Sequence, residues 1–308
     1  MITDAARTLG RGMLRSWQLY VLLVPALVYL FLFRYVPMYG AQIAFKDFNI
    51  AKGIIDSPWA GLKHFDRFFH AYDFWRIIKN TLFLSVYHLA ASFPVPILLA
   101  LSLNYVRNMR FKKTVQMVTY APYFISLVVL VSIIMQFLAP RTGPINNLLS
   151  FAGISEINFM GKPELFGSIY VWSDVWQNAG FACIIYLAAL SGVDPAWHES
   201  AVIDGASIAR RIWHIDLPTI LPIAVILLIL NIGNMFDLGF EKVLLMQNPL
   251  NLRSSEIIDT YVYKLGLTAQ LPNYSYAAAI GLFKNIVAFI LIVGVNQTAR
   301  KLGGTSLW

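Results

Sequence analysis

Six long apolar runs constrain the fold of this chain more than any other feature: residues 17–36, 81–105, 115–138, 165–193, 217–236 and 274–298. A bilayer core about 30 Å thick takes roughly 20 mostly apolar residues per helix, and each run is long enough. The runs are continuous and lack the two-residue alternation of barrel strands, and in hydrocarbon only a helix or a closed barrel satisfies its own backbone polar groups. The expected class is all-α: a single domain, residues 1–308, built as a polytopic membrane helical bundle of six transmembrane helices. Composition agrees, since 58% of residues are hydrophobic, only 13% are charged and the mean hydropathy is +0.62, far too apolar for a soluble domain.

Arg7, Arg11 and Arg15 precede the first run as they would a secretory signal, but Arg34, Tyr35 and Pro37 follow it with no small-x-small cleavage pattern. That marks a retained anchor. Six spans put both termini on one side, and the bases in short loops choose that side. Arg107, Arg110, Lys112 and Lys113 crowd the link between runs two and three; Arg210 and Arg211 lie between runs four and five, and Arg300 and Lys301 follow run six. With the N-terminal arginines, these segments alternate as cytoplasmic ones should. The opposite segments carry Lys46, Lys63, Lys242 and Arg253 but also most of the acids, among them Asp47, Asp56, Glu156, Glu241, Glu256 and Asp259, and are expected outside. Cytoplasmic bases near anionic lipid account for much of the formal charge of +8, so nucleic acid is not needed to explain it.

The outer segment 38–80 places Phe65, Phe68, Phe69 and Tyr72 at helical spacing, which predicts an amphipathic helix at the interface. It reads either as a packing cap or as a docking shelf for an external partner. Residues 139–164 read as a loop with one short helix near 145–151. Pro94, Pro96 and Pro122 lie inside apolar runs, where a proline removes a backbone bond and favours a kink. The single cysteine, Cys183, excludes a disulfide framework or a CxxC metal site and reads as packing.

Between runs four and five stands the polar sequence ESAVIDGASIARRIWHIDLPTILP, residues 199–222. Asp194-Pro195 is a helix start, with an N-cap acceptor followed by a ring preset for the first helical position. Gly205 offers the positive φ that ends the helix, and residues 207–215 predict a second short helix before Leu217-Pro218 opens the fifth span. The result is a surface hairpin over residues 194–217 whose small residues let another protein approach its backbone, with Ile203, Ile208, Ile212 and Trp213 as apolar anchors. Spacing alone fits a plain connector equally well.

This hairpin resembles the EAA motif of ABC importer permeases, a pattern of E-A-A, then D-G-A, then I-x-L-P. It stands here as Glu199-Ser200-Ala201, Asp204-Gly205-Ala206 and Ile215-Asp216-Leu217-Pro218, with Ser200 as the one departure. The resemblance implies the type I ABC importer permease fold, with the hairpin as the coupling helix seated in a cleft of a separate ATPase. Residues 35–69, 194–222, 240–267 and 274–308, ending ARKLGGTSLW, further resemble the carbohydrate-uptake permeases related to the maltose transporter, in the LplB-like branch. That implies import of oligosaccharides or polysaccharide fragments, some of them acidic, such as alginate- or pectin-derived sugars, across a bacterial cytoplasmic membrane. The partners it implies are a second permease in a heterodimer, two ATPase subunits and an extracytoplasmic solute-binding protein. This chain is expected to bind no cofactor, with ATP and Mg held on the partner ATPase.

Charged residues inside a span are costly and usually face protein or water. Asp174 in run four, Asp237 at the end of run five and Lys284 in run six are therefore expected to share a cavity in the outer half of the bilayer. Lys284 either meets an acidic sugar or pairs with one of the aspartates. Aromatic faces and amides suit sugar rings, and Trp172, Trp176, Gln177, Asn178 and Tyr186 on run four, Asn231 and Asn234 on run five, and Asn285 on run six offer them. Trp172 and Trp176 share a helix face, either as an interfacial anchor or as a stacking platform. A secondary transporter is the rival reading, and it leaves the hairpin unexplained. An enzyme finds no support: the five histidines show no HExxH spacing, and neither GxSxG nor a GxxxxGK[ST] phosphate loop occurs.

Overall fold

A computed structural model describes residues 17–237 and 239–301, and these are mainly helical. Arg7, Arg11, Arg15 and the last seven residues of the ARKLGGTSLW segment lie outside them. The described residues fall into two compact units, 17–69 with 265–282 and 70–264 with 283–301.

In the first unit, helix α1 (Trp17–Phe45) is 29 residues long, nine residues longer at its C-terminal end than the apolar run ending at 36. It passes Pro37 by way of a π turn at Phe31–Tyr35. Widening the helix just before a proline relieves the clash between its ring and the preceding turn. No residue of α1 before its last 3-10 turn is buried. Helix α2 (Lys63–Phe69) buries His64 and Phe68; its Phe65 ring lies 5.3 Å from that of Phe45. The expected amphipathic stripe therefore stops at Phe69. Tyr72 lies outside the helix and is 97% exposed, because the chain turns over residues 70–73 to start the next helix.

In the second unit, helix α3 (Phe74–Asn104) begins seven residues ahead of the expected 81. Its first turns mix Phe74, Trp75, Ile77 and Ile78 with Arg76, Lys79 and Asn80, which interrupts the apolar run; Arg76 pairs with Asp73 and Glu256, and Asn80 Nδ2 donates to the carbonyls of Arg253 and Glu256. The third apolar run is broken rather than kinked. Helix α4 (Met109–Tyr120) leads through a 3-10 turn containing Pro122 into α5 (Leu127–Phe137), and the two halves bend by 104°. Backbone freed at such a break must be bonded by neighbours, and Gln177 Nε2 donates to Ile125 O at 3.1 Å.

Helix α6 (Pro144–Phe151) falls within the 139–164 loop. Helix α7 (Pro163–Leu190) bends by 77° into α8 (Pro195–Ile203). Helix α9 (Ile208–Gly233) is one continuous helix of 26 residues, so the expected second short helix over 207–215 is instead the first turns of the fifth span. A π turn at Ile212–Asp216 accommodates Pro218, as the one in α1 accommodates Pro37. Helices α10 (Phe240–Met246), α11 (Ile258–Tyr263) and α12 (Tyr274–Lys301) complete the described chain. Among the described residues four helices are long and apolar enough to cross a membrane, and up to six spans result if each bent pair counts as one.

Helix α7 runs through the core of the second unit. Near its start Phe166, Tyr170, Val171 and Val175 pack with Leu84 and Ala91 of α3, Val131 of α5 and Val243 and Met246 of α10. Towards its end Cys183, Tyr186 and Leu190 pack with Ala100, Leu101 and Leu103 of α3 and with Ile220 and Ala224 of α9. Gly180 sits against the backbone of Thr119, where any Cβ would collide with the carbonyl. Small residues permit this close approach between membrane helices.

Candidate functional site

The hairpin is assembled by local chemistry. The Asp194 carboxylate accepts from Ala196 N at 2.9 Å, capping α8. At the other end Gly205 adopts φ +75°, and Ala206 N and Gly205 N donate to Ala201 O and Val202 O at 2.8 and 3.0 Å, a left-handed cap that closes the helix. Ser207 then caps α9 through Arg210 N. Glu199, Ser200, Asp204 and Gly205 are exposed, Ala201 and Ala206 half-buried. Trp197, Val202, Ile203, Ile208 and Trp213 are exposed too, Ile203 at 85%, and the space over Gly205 is open. Ile215 and Leu217 are half-buried and Pro218 is exposed at the foot of α9.

A second polar feature lies inside the unit. A cavity of about 200 Å³ is lined by residues that include His88, Tyr170, Asp174, Asn231, Asn234 and Asp237. Asp174 accepts from His88 Nε2 at 2.8 Å and from Lys242 Nζ at 3.3 Å. Lys242, on α10, is 1% exposed; burial pushes its pKa down, opposed by the Asp174 carboxylate. Lys284 donates to Asp259 at 2.7 Å and to Asp237 at 3.1 Å. Burial raises the pKa of Asp259 and the Lys284 ammonium opposes the rise. Lys284, expected to share the cavity with Asp174 and Asp237, does not line it; it is engaged instead by the Asp237 and Asp259 carboxylates.

Four of the sequence-selected residues, Asp174, Asn231, Asn234 and Asp237, meet around this cavity. Asn178 is half-buried one turn beyond Asp174 on the same helix. Gln177 is turned away to the broken span, and Asn285 is exposed. Trp172 and Trp176 are both exposed, and Trp172 Nε1 donates to Tyr87 OH at 2.9 Å; neither lines the cavity. His88 and Lys242 were not selected from sequence. His88 carried a readable signal, an ionisable residue within an apolar run. Lys242 carried none, since it reaches Asp174 across 68 residues of chain.

Over 290 residues the chain is 46% identical to the polygalacturonan/rhamnogalacturonan transport system permease protein YteP of Bacillus subtilis (strain 168), covering 94% of this chain and 90% of that protein. It is 42% identical over 309 residues to the protein LplB of the same organism, covering 98% and 96% of the two chains. Among solved structures, a chain of a bacterial ABC transporter involved in the import of the acidic polysaccharide alginate matches with a TM-score of 0.88 at 39% identity, over 96% of this chain and 99% of that one. A chain of a bacterial alginate ABC transporter in complex with an alginate pentasaccharide-bound periplasmic protein matches with a TM-score of 0.89 at 38% identity and the same coverage. The all-α fold is accordingly that of an ABC importer permease, a multi-pass membrane protein. The family model of the binding-protein-dependent transport system inner membrane component matches residues 92–301, and the chain belongs to that family.

Proposed function

We propose that this chain is the membrane-spanning subunit of an ATP-driven importer of oligosaccharides or polysaccharide fragments, acidic ones included, working by alternating access beside a second, non-identical permease. A solute-binding protein delivers the sugar from outside. Two copies of a separate ATPase hold ATP and Mg and receive the hairpin, which faces the cytoplasm together with both termini. The observation that carries this reading is the exposed hairpin, whose motif residues Glu199, Ser200, Ala201, Asp204, Gly205 and Ala206 present a capped helix end with open space over Gly205. Around it stand solvent-exposed Trp197, Ile203 and Trp213; exposed apolar side chains clustered on a polar segment mark a docking surface. Glu199 offers a carboxylate to a partner's arginine. Asn231, Asn234 and the His88–Asp174 pair supply hydroxyl-recognising groups along the sugar path, while Trp172 and Trp176 either stack on sugar or anchor α7 at the interface. An ATP-independent carrier leaves this surface without a role.

The test is ATP hydrolysis by the assembled complex with Gly205→Val. The left-handed conformation costs an L-residue about 1–2 kcal/mol, and the branched side chain fills the space that the partner needs. Hydrolysis stimulated by loaded binding protein is expected to be lost, with alginate pentasaccharide and a rhamnogalacturonan oligosaccharide tried as cargo. Undiminished stimulation overturns the docking.

A further inference from the structure

Asp216, the variable residue of the Ile215–Pro218 segment, is fully buried, at 0% exposure. Its Oδ2 accepts a 2.6 Å hydrogen bond from Tyr105 OH, just beyond the end of α3. Its Oδ1 has no hydrogen-bond partner among the described residues and lies 3.4 Å from Nε2 of His198 on α8. The His198 and Tyr105 rings meet edge to face, with centroids 6.2 Å apart and planes at 86°, and the Arg211 guanidinium lies over the Tyr105 ring at 5.3 Å. Helix α8 has no fully buried residue, and its half-buried His198 ring is the side chain that approaches Asp216. Three elements thus converge on one carboxylate: the end of α3, the hairpin helix α8 and the foot of α9.

A buried carboxylate is costly unless it is paired and hydrogen-bonded, which favours keeping these partners together. The His198–Asp216 separation exceeds a full charge-assisted hydrogen bond by about 0.5 Å, so a small displacement of α8 completes that bond and draws α3 and α9 with it. We propose that Tyr105, His198 and Asp216 form the joint through which motion of the hairpin reaches the inner ends of the second and fifth spans, with His198 and Tyr105 as positioning residues. The proposal rests on the reading that the hairpin docks on an ATPase.

The joint is tested in the assembled complex with nitroxide labels on Ala196→Cys in α8 and Ser102→Cys in α3, both exposed positions, by measuring their separation before and after trapping with ATP, magnesium and vanadate. With the joint intact the two labels move together and the distance holds within about 1 Å; in His198→Ala or Tyr105→Phe it changes by about 2 Å or more, the scale of interface helix shifts. His198→Gln, whose amide still donates to Asp216, is expected to restore the fixed distance. A distance that changes on trapping in the unaltered chain, or that stays fixed in both His198→Ala and Tyr105→Phe, overturns the joint alone. Full stimulated hydrolysis in Gly205→Val overturns the docking and the joint with it.

Discussion

Lys242 has almost no exposed surface, and its ammonium faces the Asp174 carboxylate that His88 also holds. Removing one member of such a pair leaves the other charge buried without compensation, at a cost of about 3 kcal/mol, whereas replacing both by apolar groups is often close to neutral. Asp174→Asn is therefore expected to lower the midpoint of thermal unfolding in detergent, and Asp174→Leu with Lys242→Met to recover most of the loss. Lys284 differs in having two acids, Asp237 and Asp259, on one amine. If its work is to tie α12 to Asp259 of α11 and to Asp237 just beyond α9, Lys284→Met lowers import of neutral and acidic oligosaccharides in parallel; loss confined to acidic cargo would assign it to the substrate instead. Asp174 and Lys284 stand out in the sequence because an ionisable group in an apolar run is an anomaly wherever it points, and Asp237 because it closes one. Which partner each takes was not legible, since pairing depends on how the helices are rotated.

At the level of elements, the signals that proved readable are local ones. Asp194-Pro195 and Gly205 mark the two ends of α8 within a few residues, and caps of that kind form there. Asp194→Ala removes the acceptor for Ala196 N and is expected to cost about 1 kcal/mol, read as faster amide exchange confined to Pro195–Ile203. Continuity is less readable where a proline resembles a beginning: Leu217-Pro218 suggests a new helix, but the π turn at Ile212–Asp216 lets α9 run through it. Pro122 predicts a kink, and the structure has a 104° break there whose freed Ile125 carbonyl is bonded by Gln177 of α7. In the segment between the first two spans, Lys63 donates to Asp47 and holds its carboxyl below the ordinary aspartate value of 3.8. Since the folded value is the depressed one, the pair's contribution is complete above 3.8 and is lost as pH falls through the lower folded value. A carboxyl-carbon titration of Asp47 is expected to show a midpoint below 3.8 that returns upward in Lys63→Met.

For the whole molecule, the 104° break between α4 and α5 decides the sidedness of everything after it. If the two halves together cross the membrane, the loop before α7 lies outside and the hairpin inside, as the bases at Arg107, Arg110, Lys112 and Lys113 require. If they form a re-entrant loop, the loop before α7 stays on the side of those bases and the hairpin moves to the other. Both halves are helical and, taken together, apolar enough for either arrangement. The chain carries its own means of decision: the single cysteine, Cys183, is buried, so the unaltered protein is expected to resist a membrane-impermeant maleimide. Single cysteines at the exposed positions Asn108, Glu156 and Glu199 then report sidedness against a silent background. Asn108→Cys and Glu199→Cys are expected to react only in inverted vesicles and Glu156→Cys only in right-side-out ones. Reaction of Glu156→Cys together with Asn108→Cys would mean that the broken pair turns back, and it would remove the hairpin from the face on which ATP is available to do work.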